Sequence, residues 1–108
     1  MWHEIEETLS KTEKSLSEYK RTVYEYAKRE KEYRIALSKR LIQRKAEGYA
    51  VTNLADIVRG EEDIATLKYE RDIAEGLKNS AEKGVDFYKL KARIMDGQTS
   101  REWGQAKF

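Results

Sequence analysis

The fold turns on "AEGYAVTNLADIVRGEED", residues 46–63. Long charged stretches with helical texture flank it, and here they give way to two glycines and an apolar cluster. Gly48 is a natural helix stop, because glycine takes the left-handed conformation just past a helix end without steric cost. Asn53 is placed to cap a new helix, and Asp56, further into its first turn, completes a capping-box-like pair. Leu54, Ile57 and Val58 give this short helix, about 53–59, an apolar face. Gly60 ends it. Glu61, Glu62 and Asp63 then open a third helix, where acids suit the positive end of the helix dipole. The stretch therefore reads as a structured corner, neither a linker nor a ligand loop. Its short helix caps the end of a hairpin first, and serves as a recognition tip second.

Upstream, seam residues recur at alternating steps of three and four: Trp2, Ile5, Leu9, Thr12, Leu16, Tyr19, Val23, Tyr26, Glu30, Tyr33, Leu37, Arg40, Arg44. That spacing makes one stripe along a helix, close to a heptad seam. No glycine or proline interrupts residues 2–47. Downstream, an inner row runs through Ile64, Leu67, Ala74, Ala81, Val85, Tyr88, Ala92 and Met95. A second row, Ile73, Leu77, Phe87, Leu90 and Ile94, runs beside it. The alanines and Gly84 allow another helix to approach closely. Gly76 and Gly84 weaken this segment, and Asn79 with Glu82 offers a place for a break, but the heptad phase survives across it. Gly97 is the expected end, with "SREW" as a last turn.

Charge sets the direction of the helices. Residues 28–45 carry eight Lys/Arg against Glu30 and Glu32, net +6, and residues 56–75 are net −4. Residues 1–20 are net −2 and residues 76–108 net +3. A hairpin turning at the corner sets each block beside one of opposite sign, which favours antiparallel pairing even though each surface pair is weak. The expected fold is all-α: a long antiparallel helical hairpin, about 2–47 and 61–96, with the corner helix between. Two helices alone make a poor core, so oligomerisation into a bundle, a dimer first, is expected to complete it.

Composition agrees. The chain's 108 residues suit one domain. Charged residues make up 39%, which in an aromatic-poor chain would signal disorder, but seven tyrosines and the absence of proline point to ordered helices. Cysteine is absent, which excludes disulfides and thiolate sites and fits a reducing cytoplasm. No apolar run approaches the roughly 18 residues of a membrane span, and "MWHEIEETLS" lacks the apolar core of a secretory signal. A soluble cytoplasmic protein, with no membrane partner, is expected.

Little of this sequence points to a reaction. His3 has no second histidine to share a metal with. Gly48 and Gly60 fit neither GxxxxGK[ST] nor GxGxxG. Serines and threonines lack a base partner. No enzyme, metal or cofactor is expected. The basic run "KREKEYRIALSKRLIQRK", residues 28–45, is the strongest functional lure. Lys28, Arg29, Lys31, Arg34, Lys39, Arg40, Arg44 and Lys45, interleaved with Tyr33, can bind phosphates beside a stacked base. Equally they can neutralise the acidic block across the hairpin, and a net charge of +2 is feeble for a nucleic-acid binder. Arg40 and Arg44 sit on the seam, where Glu70 or Asp72 are candidate partners. An ionic cluster of Arg40, Arg44, Glu70, Arg71 and Asp72 near the corner would fix register or partner choice. Tyr19, Tyr26 and Tyr33 are seven apart and share a face. With Leu54, Ile57 and Val58 they form the candidate packing or interface set.

From Tyr33 to Lys39, Val51 to Gly60 and Arg71 to Glu75, and again at "REW", the chain resembles a set of small helical proteins encoded by temperate phages of Gram-positive bacteria, in the early replication and recombination region. The likeness covers about residues 33–103. It implies a phage protein acting inside an infected cell and brings no catalytic residues with it. Two functions are expected from different classes. The first is an oligomeric hairpin that binds another phage or host protein, assisting replication or recombination or blocking a host defence factor. The second is a nucleic-acid-binding accessory that uses residues 28–45. A purely structural coiled coil is a third, weaker reading.

Overall fold

The computed structural model describes residues 2–106, with side chains at 2–98, 100 and 101. Three helices follow in order: α1 (Trp2–Ala46), α2 (Leu54–Arg59) and α3 (Glu62–Ala106). The long α1 packs against the long α3 with α2 between them, a helical hairpin as the patterning predicts. The chain divides into a corner unit, Thr22–Leu77, and an end unit, Met1–Arg21 with Lys78–Phe108.

α1 ends as Gly48 dictates. Gly48 has φ +92°; its N–H donates to the Lys45 carbonyl at 3.1 Å and the Tyr49 N–H donates to the Arg44 carbonyl at 3.2 Å. This pair of bonds is the Schellman closure, which satisfies two carbonyls that the helix leaves open. Its usual apolar contact is replaced by a cationic one, the Arg44 guanidinium lying 5.7 Å from the Tyr49 ring centre.

The start of α2 differs from expectation. Asn53 precedes the helix but sits in the left-handed region, at φ 61° and ψ 9°, and its side chain makes no capping bond. A side-chain cap needs an extended backbone at that position. Asparagine is here because it tolerates the left-handed conformation better than other non-glycine residues, so no capping box with Asp56 forms. α2 buries Leu54 and Val58 in a small core with Tyr33 and Ile64, which Ala36, Leu37, Leu41 and Leu67 border.

α3 is longer than expected. It neither breaks at Asn79 nor ends at Gly97, and runs through "SREW" to Ala106. A lone glycine in a helix costs only about 1 kcal/mol and removes no backbone bond, so neighbouring residues carry the helix across it. The inner row of α3 packs as predicted: Ile64 and Ala74 are buried in the corner unit and Val85 in the end unit. At Gly84 an added Cβ would lie 3.8 Å from Ser15 Oγ, so the glycine faces α1 closely.

α1 corrects the predicted seam. Tyr19, Tyr26 and Tyr33 do face inward, but Leu9, Leu16 and Val23 are exposed while Thr8 and Thr22 are buried. A straight helix has 3.6 residues per turn, so a strict heptad seam drifts off its face. Threonines one step earlier are small enough for close approach, and Thr8 Oγ1 lies 3.2 Å from Met95 Sδ; on the predicted seam itself, Thr12 Oγ1 donates to the Thr8 carbonyl at 2.8 Å.

Candidate interaction surface

In the corner unit, antiparallel packing advances one residue on α1 for one back on α3. Glu30 meets Arg71 and Arg40 meets Glu61. This register decides the ionic partners across the hairpin. The anticipated single cluster of Arg40, Arg44, Glu70, Arg71 and Asp72 is divided into separate groups, because Arg40 lies opposite residues 61–63, some nine residues short of Glu70. At 1.5 Å per residue that is about 13 Å, beyond any arginine's reach.

The first group closes the corner around Glu61. Arg44 donates Nε and Nη2 to Glu61 Oε1, and Arg40 donates Nη1 to the same oxygen at 3.2 Å. Arg40 also grips Asp63 with two bonds, of 3.2 and 2.5 Å, and Arg44 reaches back to Glu47 at 2.9 Å. Forked guanidinium contacts of this kind fix geometry as well as charge. The Arg44 bond holds the Glu61 carboxyl below the usual carboxylate range, with Arg40 adding to it, and the Arg40 bond does the same for Asp63. Glu61 Oε2 is buried without a donor among the described residues. Sequence reasoning missed Glu61 as the pivot and assigned it only to the helix start. Its position just before α3 and across from two seam arginines is the signal that could have found it.

The second group lies along the hairpin. Arg71 donates to Glu30 at 3.2 Å and to its neighbour Asp72 at 3.1 and 2.9 Å, and stacks its guanidinium 4.7 Å from the centre of the buried Tyr33 ring. Arg34 bonds Glu30 at 2.5 Å, and Lys68 bonds Asp72 at 2.9 Å. Arg29 bridges Glu25, Glu32 and Glu70.

The candidate interface set is mostly interior. Tyr33, Leu54 and Val58 form the corner core, and Tyr19 and Tyr26 are half-buried on the same inner face of α1. Burial, with Glu75 and Glu30 close by, pushes the Tyr26 hydroxyl pKa up. Of the six, Ile57 alone is exposed. The candidate nucleic-acid set is sorted by side-chain type. Arg29, Arg40 and Arg44 are engaged by carboxylates, and Arg34 is paired with Glu30 while remaining largely exposed. Lys28, Lys31, Lys39 and Lys45 face outward.

What stays uncovered is extensive. The second row of α3 is exposed in both units: Ile73 and Leu77 in the corner unit, and Phe87, Leu90 and Ile94 in the end unit. In the end unit Trp2, Ile5, Leu9, Ala92 and Met95 line a cleft of about 430 Å³. Among the described residues no group of three or more His, Cys, Asp or Glu is placed to hold a metal ion, and no helix is long and apolar enough to cross a membrane. The chain matches no protein-family profile, no curated protein and no solved structure.

Proposed function

We propose that this is a non-catalytic interaction protein, an oligomeric helical hairpin that binds another protein. One observation carries the reading. Among the described residues, six hydrophobic side chains are buried and sixteen large ones are exposed. Apolar side chains left uncovered in this proportion support an interaction reading, since contiguous exposed apolar surface is where partners bind and two helices cannot bury it between themselves. From the sequence resemblance alone, we further propose a partner in an infected cell, either a replication or recombination factor or a host defence component. The test joins solution mass by light scattering with capture of partners from host lysate. A well-behaved monomer that captures nothing removes the reading.

A nucleic-acid accessory is the second reading, favoured by the four outward lysines of residues 28–45. Three arginines of that segment being engaged in ion pairs weighs against it. Affinity for single- and double-stranded DNA that falls steeply with salt would support it, and no binding at low salt would end it.

A further inference from the structure

The outer face of α1 in the corner unit has an order that neither hairpin packing nor charge alone requires. Tyr24, Ile35 and Ile42 are exposed at 76%, 44% and 71%. At about 100° per residue these three fall on one line along the helix. Lys31 sits almost on the line, between Tyr24 and Ile35; Lys45 borders it on one side, and Lys28 and Lys39 on the other. Ala27, Ser38 and Ala46 fill the gaps, and no carboxylate lies within the strip. All four lysines are exposed, and none is in an ion pair among the described residues.

We propose that this strip docks an amphipathic helix of another protein, one whose apolar spine is bordered by Asp and Glu. An apolar line flanked by cations is half of a helix-pairing seam, in which flanking charges choose the partner. The missing half is an apolar line flanked by anions. A nucleic acid fits less well. The centre of the strip is aliphatic at two of three positions, and isoleucine gains nothing from phosphate. Of the four guanidinium forks suited to phosphate, Arg29, Arg40 and Arg44 are turned into the hairpin and the exposed Arg34 is paired with Glu30. A second copy of this chain also fits less well. The outer face of α3 in the same unit offers Tyr69 and Ile73 beside Glu62, Glu70 and Asp72, but Glu70 and Asp72 are already bonded by Arg29, Lys68 and Arg71, which leaves Glu62 as the one acid of the three outside an ion pair among the described residues. The inference rests on the interaction reading and adds the chemistry of the partner.

The experiment uses the full chain and a synthetic helical peptide of about 20 residues, which spans about 30 Å, with a leucine spine flanked by glutamate. Its lysine-flanked twin, a DNA duplex and anionic phospholipid vesicles are the other probes. Fluorescence anisotropy with the peptides and duplex, and co-sedimentation with vesicles, should show binding of the glutamate peptide alone. The Lys31→Glu/Lys45→Glu variant should weaken it by on the order of tenfold or more, since facing like charges are costly. Ile35→Ala/Ile42→Ala should weaken it too while leaving helicity unchanged, because both side chains lie outside the core. Equal binding of the lysine peptide overturns the proposal. So does glutamate-peptide binding indifferent to the isoleucines, or binding to duplex or vesicles that needs only the lysines. If the glutamate peptide stays unbound while the protein still oligomerises or captures a lysate partner, the strip is not the contact, yet the interaction reading stands.

Discussion

Replacing Gly76 by alanine should make this protein more stable, and by an amount the structure allows one to state. Gly76 lies well inside α3, and a Cβ built there meets no atom within 4 Å. The substitution therefore neither clashes nor buries new surface, and only the backbone term remains. Glycine inside a helix costs about 0.8–1.0 kcal/mol relative to alanine. Gly76→Ala should return about that amount, equivalent to a rise in Tm of roughly 4–8 °C for a domain near this size. Thermal and urea unfolding followed by circular dichroism would measure it. Two protein concentrations are needed, because the proposed self-association would make Tm depend on concentration. An unchanged or lowered stability at both concentrations would refute the reasoning. It would mean that residue 76 is not interior to a continuous helix, and that the Gly76 to Gly84 segment carries the break its composition invites.

Gly48→Ala should move stability the other way, by about 1–2 kcal/mol, because its φ of +92° is strained for any residue with a Cβ; the same melts check it, and a neutral result would remove the Schellman closure as a constraint. Ile64→Ala should cost about 2–5 kcal/mol, since Ile64 is fully buried against Tyr33, Leu54 and Val58. Ile42→Ala, on the outer strip, should stay within about 0.5 kcal/mol; equal urea midpoints for the two variants would contradict the assigned core. Acid should destabilise the hairpin. Glu61, Asp63, Glu30 and Asp72 are held below their ordinary pKa by Arg44, Arg40, Arg34 and Lys68 respectively. A depressed folded pKa adds stability that is complete above the unfolded value, about 4, and is lost as pH falls through the folded one. The urea midpoint should be level down to about pH 5 and fall below it; a midpoint that declines between neutral pH and that point would contradict these pairings.

Much of this fold was legible because the chain's strongest signals are local. A helix stop at Gly48 needs only one residue's conformational freedom, and the inner row of α3 is apolar at nearly every turn. α1 was legible as a helix but not in its rotation. Threonine at 8 and 22 alternates with leucine and valine at 9, 16 and 23, and hydrophobicity alone prefers the larger side chains for the interior. The structure prefers the small ones, because the facing helix is lined with alanine and Gly84 and comes close. Asn53 was legible as a boundary and misread in mechanism, since asparagine serves both extended caps and left-handed turns.

The ionic partners were least legible, and the reason bears on function. Eight basic residues in 28–45 are equivalent when counted as charge. Two further properties separate them. Helix angle turns Arg29, Arg40 and Arg44 toward α3 and turns Arg34, Lys28, Lys31, Lys39 and Lys45 away. Register, set by the length of the corner between α1 and α3, then places Glu61 and Asp63, rather than Glu70 or Asp72, opposite the two seam arginines. Inside the hairpin, the planar forked donor satisfies several carboxylate oxygens at once. Outside it, the flexible lysines keep their hydration and stay available. A basic segment that looks like one patch in sequence is thus two surfaces in space. In one, Arg40 and Arg44 neutralise the acidic start of α3 while Arg29 reaches Glu70 further along it. The other borders Tyr24, Ile35 and Ile42, and its four lysines are in no ion pair among the described residues.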